Sequence, residues 1–373
     1  PNSIIVSLPN SSNSYTCNGI YFYNPQVGSN IKVKIIGNSI RGISCNSQTT
    51  MKLNISGINL DIKHYYTETT VDSNTIKGIN CLARGAAFGI QCLKDDISGG
   101  STGHVGTINN NVISNLYMPY GRSLGIYYDS NNLKGIVAHN KIVNLFSGDT
   151  ILSGSFVFNE LIFGCYTEGN ISVYNNDISN IGYNNVKNVK SVVLGVYMVH
   201  LGPLEQYSAA RNKVYNILNY STSTGSVLYG MLLNGSSFKM YNNAVALDLS
   251  QAKYSKIYGV YSCSGSRDYK NNSIKLTGLH LGGQNTHSVY FADNILTCNI
   301  GNNIIINTST GLSGQRKHFC FGGVFNPVLN TNLKLINNIY YFDSVNGGLM
   351  DLFPYIYFDE ITHAILFADD TLS

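Results

Sequence analysis

The chain has 373 residues, 43% of them hydrophobic and only 12% charged, with a net charge of +4. Such a composition belongs neither to a disordered nor to a strongly solvated chain, and Lys and Arg are scattered rather than gathered into the basic stripe of a nucleic-acid binder. No stretch approaches the roughly 20 apolar residues that span a bilayer, so no membrane span is expected.

The chain opens at Pro1 without an initiator Met, which reads as a processed or excised product. Residues 1–16 ("PNSIIVSLPNSSNSY") are polar and read as an entry segment. From residue 17 to 348 the sequence is a succession of short alternating runs rich in Ile, Val and Tyr, bounded by Gly, Asn and Ser. No apolar spacing of three and four persists over ten residues, so helical repeats are excluded. The chain has no Trp and no regular Leu framework, which removes the Trp-Asp propeller and the leucine-rich repeat.

A repeat runs through this region. Faint copies stand at Asn38 ("NSIRGI") and Asn74 ("NTIKGI"), and clear ones follow at Asn111, Asn140, Asn176, Asn212, Asn243, Asn272, Asn303 and Asn338. Each of these Asn residues is followed two positions later by an apolar side chain, Ile or Val in most copies. The clear copies recur at intervals of 29–36 residues, and a fixed period of this size signals a solenoid. In a coil of parallel strands, equivalent residues stack at roughly 4.8 Å, so each Asn amide can bond its equivalent one rung away. These Asn residues are expected to hold the coil together, and Asn115, Asn144, Asn180 and Asn216 suggest a second, shorter ladder.

With this "NNxI" ladder the chain resembles the right-handed parallel β-helix superfamily, the pectin-lyase-like proteins, over roughly residues 17–345. The resemblance implies an all-β, single-stranded right-handed parallel β-helix of roughly 10–12 coils, about 50 Å long. It names no activity, because the superfamily holds lyases, hydrolases, tailspikes, adhesins and inert surface proteins.

A second periodic feature sits between the ladder copies: "LGIYY", "FGCYT", "LGVYM", "YGMLL", "YGVYS", "SVYF" and "GVF". Alternation points the residue after Gly inward and its successor outward. One exterior face should therefore carry a column of Tyr127, Tyr166, Tyr197, Leu232, Tyr261, Tyr290 and Phe325. Three uses are open to it: a small second core under folded-over loops, packing against identical columns of other copies, or a polysaccharide track. In the last, Tyr offers a ring face to a sugar's C–H side and a hydroxyl to its polar edge. Longer insertions such as "SGDTILSGSFVFNE", "GYNNVKNVK", "NYSTSTGS" and "GLHLGGQNTHS" precede the Tyr strands, so loops should gather along one edge of that face.

For catalysis the carboxylates matter, and the chain has only 20. Asp129 and Glu168 each lie two residues after a column Tyr, so they should project side by side from adjacent coils on the order of 5 Å apart, the separation of a retaining glycosidase pair. Like charges that close raise one pKa, as a general acid requires; two solvated surface acids is the plainer alternative. Asp95 and Asp96 invite comparison with the Asp-Asp motif of polygalacturonases, but His104 follows in "GHVG" and no Arg-Ile-Lys motif is present. The eight cysteines form no C-x-x-C and no zinc spacing, and most read as small buried hydrophobes, which permits an oxidising compartment without requiring one. His139 and His200 are expected on coil surfaces. No metal site and no cofactor is expected. Residues 349–373 lose the Asn repeat, hold five of the 20 acids and read as a cap or oligomer contact.

These features lead to the expectation of an extracellular, cell-surface or virion-surface module, structural or adhesive, that contacts glycans or associates with copies of itself. The competing expectation is a polysaccharide-degrading enzyme, free or tailspike-like, with Asp129 and Glu168 as its acids.

Overall fold

The computed structural model describes residues 4–6, 15–24, 31–45, 52–62, 67–82, 84–94, 105–148, 160–186, 188–200, 207–235, 237–263, 265–282, 284–292, 295–311, 318–323, 332–343, 347–352, 358–362 and 365–369. Among these residues every strand pairing is parallel, the single helical element is the short 3₁₀ turn Leu249–Gln251, and there is no α-helix. The chain is a β-solenoid of stacked parallel coils.

Each coil contributes one strand to each of three sheets. The ladder sheet stacks twelve strands, among them Val112–Tyr117, Lys141–Ser147, Asp177–Tyr183 and Lys213–Asn219. The tyrosine sheet follows it in the coil, with Ser191–Val199, Val227–Asn234, Lys256–Cys263 and Thr286–Phe291 among its strands. A return sheet then leads back to the ladder through strands such as Ser237–Tyr241 and Gly265–Lys270. Two long strands, Tyr120–Ala138 and Glu160–Tyr174, run through the tyrosine and return sheets without a break.

The corner from return sheet to ladder sheet is nearly constant, and the sequence shows why. It consists of one residue in the left-handed region followed by a buried ladder Asn. Asn110, Asn175, Asn242, Asn271, Asn302 and Asn337 take this conformation with φ between 53° and 57°. Asn tolerates it better than other residues with a Cβ, so the "NN" doublet combines a turn former with a stacking residue. Every ladder Asn from Asn38 to Asn303 donates both its backbone N–H and its Nδ2 to the Oδ1 one rung on. Asn111 reaches Asn140 at 3.0 and 2.9 Å, Asn140 reaches Asn176 at 3.0 and 3.0 Å, and the chain of bonds extends from Asn38 to Asn338. The remaining Nδ2 hydrogen is shared between backbone carbonyls, as in Asn111 to Val71 O at 3.0 Å and Asn109 O at 2.8 Å. Buried amides are tolerated here because each finds its partners.

The Asn115, Asn144, Asn180 and Asn216 set occupies a different environment. These residues are also left-handed, with φ from 51° to 61°, and lie toward solvent. Asn144 bonds Asn115 at 2.9 Å and Asn216 bonds Asn180. As an inserted residue in the strand, each shifts the alternation, so that Ile113 and Leu116, three apart, both point inward.

The core is a column of aliphatic side chains from all three sheets. The position after Gly carries Ile126, Cys165, Val196, Met231, Val260 and Val289, all buried and in register from rung to rung. The Gly itself is required by packing. A Cβ on Gly164 would lie 2.4 Å from Ile178 Cγ2 and 2.6 Å from Gly195 O. Gly125 and Gly195 meet the ladder-sheet Ile142 and Val214 in the same way. The Gly of each Gly-x-Tyr strand thus receives the side chain that stands two residues after a ladder Asn, and the two repeats interlock inside the coil. At Ser288 the series changes, and the buried hydroxyl donates to Ile306 O at 2.8 Å. Arg267 also enters the core, 1% exposed, where Ser266 O, Gly235 O, Cys263 O and Ser262 Oγ accept its donors.

The coil extends past both expected limits. Ile4–Val6 pairs with Ile43–Cys45, inside the segment read as polar entry. Gly347–Leu352, Phe358–Thr362 and Ile365–Asp369 pair in parallel with the preceding rung in all three sheets. The repeat fades in the sequence there because residues 349–373 hold no Asn, while the backbone pairing that defines a rung needs none. His200, expected at the surface, is buried against Tyr207, with ring centroids 3.9 Å apart, and its Nε2 lies 2.9 Å from Asn170 Oδ1; His139 is exposed.

Replacing Asn176 by Ala removes one acceptor and strands two donors of Asn140, so it should cost about 2–4 kcal/mol, read from the midpoint of denaturant unfolding. Gly164→Ala should cost about 1–3 kcal/mol through overpacking against Ile178; unchanged stability in that variant would contradict the interlock.

Candidate functional site

The tyrosine sheet presents its outer face through the alternation beyond the Gly. Tyr127 pairs with Tyr166, Tyr166 with Tyr197, Tyr197 with Leu232, Leu232 with Tyr261 and Tyr261 with Tyr290. All six side chains are half-buried. Below them the column continues through Gln91 and Asn59 to Tyr21, which is 54% exposed. Above Tyr290 the partner is Gly322, not Phe325. Matching the string "GVF" to the repeat misplaces the rung by three residues, because Phe321 fills the inward position over Val289; Phe325 lies outside the described residues.

A second column stands beside the first, which alternation alone does not reveal. Phe88, Leu124, Phe163, Leu194, Tyr229, Tyr258, His287 and Phe319 succeed one another in register, each immediately before the Gly or its equivalent. Period two from Ile126 would send Leu124 inward. The chain bends at the Gly instead, so Ile162, Val193 and Leu228 join the core while Phe163 and Leu194 join a separate outer cluster. That cluster comprises Ala86, Phe88, Leu124, Phe163 and Leu194, with Tyr127, Tyr166, Tyr197, Tyr229 and Leu232 packed against it. The signal was present in the strings "FGI", "LGI", "FGC" and "YGM" as an apolar or aromatic residue before each Gly.

Ring geometry follows rung spacing. Tyr127 and Tyr166 stack with centroids 4.7 Å apart and planes 8° apart, and Tyr261 and Tyr290 stack at 5.2 Å and 17°. Tyr229 and Tyr258 stack at 5.3 Å and 14° in the second column. Tyr197 turns edge-on to Tyr166 at 5.1 Å and 83°. Stacked neighbours cover one another's faces, so the column turns mostly ring edges and hydroxyls outward. This differs from the open ring faces expected of a sugar platform.

The two acids sit where the register demands. Asp129 pairs with Glu168 on the next rung, two residues beyond Tyr127 and Tyr166. Glu168 engages the phenol of its own strand, with Tyr166 donating to its Oε2, while the charge of Asp129 stands near the Tyr127 hydroxyl. Burial, followed by the charges of Asp129 and Glu168, pushes the Tyr127 hydroxyl up to about 12, and burial together with the Glu168 bond raises Tyr166 further. Tyr229 and Tyr261 are raised mainly by burial. The phenols of this face are therefore neutral donors across the physiological range.

In the sequence, insertions fall in two connections of the coil rather than one. Residues 184–190, 220–226 and 281–285 connect ladder strands to tyrosine strands, as do residues 148–159. Residues 95–104 and 324–331 come in the sequence between a tyrosine strand and a return strand. Asp95, Asp96 and His104 fall in that second group, outside the described residues. Among the described residues no three His, Cys, Asp or Glu side chains converge as metal ligands, and six of the eight cysteines are buried. No helix among the described residues is long and apolar enough to cross a membrane. No protein-family model, no curated protein and no solved structure matches the chain.

The raised hydroxyl of Tyr127 gives a signed expectation. A folded-state value above the unfolded one stabilises the fold fully below about pH 10, and that contribution is lost as pH rises through about 12. Stability of the wild-type chain should fall over this window, and the fall should be shallower in Tyr127→Phe, measured by denaturant titration at a series of alkaline pH values.

Proposed function

We propose that this chain is a structural, adhesive module of an extracellular, cell or virion surface, and that its tyrosine face contacts glycans. The observation that carries the reading is the outward column of half-buried tyrosines, in register over successive rungs and lined with neutral hydroxyl donors. A linear polysaccharide presents hydroxyls at regular intervals, and a column of phenol edges at the rung spacing offers matching donors and acceptors beside an apolar wall. The low charge supports contact by hydrogen bonds and apolar area rather than by electrostatic steering.

The enzymatic reading rests on one specific observation, the rung-to-rung pairing of Asp129 with Glu168. In that reading the two carboxylates would attack and protonate a glycosidic bond. Against it, Glu168 is engaged by the Tyr166 phenol, and both acids lie on a face dominated by apolar rings. Self-association through the same face is the remaining alternative.

A glycan array with the purified chain, followed by calorimetry on the hits, tests the adhesive reading. Tyr197→Phe, Tyr261→Phe and Tyr290→Phe keep the rings and remove the hydroxyls, and each should weaken binding about five-fold without shifting thermal stability. Absence of any bound glycan, or affinities indifferent to all three changes, would overturn it. Release of reducing ends from a polysaccharide, lost in Asp129→Asn and Glu168→Gln, would install the enzyme in its place, and a concentration-dependent oligomer broken by ring removal would install self-association.

A further inference from the structure

Three pairs of tyrosines stack across neighbouring rungs: Tyr127 with Tyr166, Tyr229 with Tyr258, and Tyr261 with Tyr290. The first pair is the closest and most parallel, at 4.7 Å and 8° against 5.3 Å and 14° or 5.2 Å and 17°. It is also distinguished by chemistry. The Tyr166 hydroxyl donates to Glu168, Asp129 stands two residues after Tyr127 on the same face, and the two carboxylates pair in register like the rings themselves. Both tyrosines are partly exposed, so an oxidant can reach them.

From this arrangement we infer that Tyr127 and Tyr166 form a preorganised oxidative cross-linking site, at which a peroxidase with hydrogen peroxide joins the two rings into dityrosine and ties neighbouring rungs covalently. A phenol gives up its electron readily only if its proton can leave at the same time, and a carboxylate already hydrogen-bonded to the hydroxyl is the acceptor that makes this possible. Each ring loses one electron to the oxidised haem of the peroxidase and one proton to Asp129 or Glu168, and from there to solvent. The unpaired electron of each phenoxyl spreads to the ring carbon beside the hydroxyl. In-register stacking holds the two rings nearly parallel with centroids 4.7 Å apart, which makes the coupling intramolecular. One C–C bond forms between them, and the hydrogen on each bonded carbon returns to an oxygen as the rings regain aromaticity. The net change is loss of two hydrogen atoms from the chain, and hydrogen peroxide carries them away as two waters. No residue other than the two tyrosines is consumed. The reaction does not depend on what the outer face binds, so it stands apart from the glycan reading.

The test treats the full chain with a haem peroxidase and a limiting amount of hydrogen peroxide. The monomer is then digested, and joined peptides lighter by two hydrogens are assigned by mass spectrometry, with dityrosine fluorescence as the time course. The expected result is a Tyr127–Tyr166 link that forms ahead of any Tyr229–Tyr258 or Tyr261–Tyr290 link in the wild-type chain. Asp129→Asn with Glu168→Gln should slow that link about a hundredfold and leave the other two pairs unchanged. Tyr127→Phe should abolish it. Equal rates at the three stacked pairs in the wild-type chain, or no intramolecular dityrosine at all, would overturn the inference even if the variants failed to fold.

Discussion

The constraint on which the structure depends is the register of parallel strands at a single rung spacing. Once equivalent residues lie one above another, a buried polar side chain has a partner available only in the next rung, and the partner is its own counterpart. Asn satisfies that condition because one amide carries both a double-acceptor oxygen and donors. The same side chain can therefore occupy the site at every level from Asn38 to Asn338. A residue with donors alone or acceptors alone would face its own kind across 4.8 Å and leave a buried group unpaired. The left-handed residue before each ladder Asn completes the corner, so turn and ladder are a single device.

The interlock between glycine and aliphatic residue follows from the same stacking. Where the tyrosine strand bends, its backbone lies against the side chain that stands two residues after a ladder Asn, and Gly leaves room for it. The bend then reverses which side of the sheet the following residues occupy. The inner column of Ile126, Cys165 and Val196 and the outer pair of columns, Phe163 with Tyr166 and their equivalents, are two consequences of one missing Cβ. Aromatic rings on the outside come into contact for the reason that amides do on the inside: the spacing of the rungs is close to the distance at which rings stack.

That coincidence gives the outer face its character. Rings held at 4.7–5.3 Å shield each other's faces and bury part of each phenol, so their hydroxyls stay protonated and point past a partly desolvated edge. Carboxylates placed two residues on, at Asp129 and Glu168, fall within reach of those hydroxyls because alternation returns them to the same side. An acid pair in register, which on a bare sheet would read as a catalytic couple, here stands beside two phenols, one of which donates to Glu168. The chemistry open to the face is set by these couplings more than by any residue alone.

Much of this was legible in the sequence. The interval between ladder Asn residues, the apolar residue two positions on, and the Gly-x-Tyr strings specify parallel coils and the inward column, because hydrophobic alternation and amide self-pairing act over a few residues and repeat. The pairing of Tyr127 with Tyr166 and of Asp129 with Glu168 follows from counting along those strings. Other features depend on contacts between segments far apart in the chain, and only the tertiary structure decided them. The outward turn of Leu124 and Phe163 arises from a bend imposed by a ladder-sheet side chain pressing on Gly. The register of Tyr290 against Gly322 arises from Phe321 filling the space above Val289. The extra rung at Ile365–Asp369 exists because backbone pairing propagates where the sequence no longer supplies a ladder Asn. Local pattern determined which residues repeat; packing between rungs, which no single repeat contains, determined which way they face and where the repeat ends.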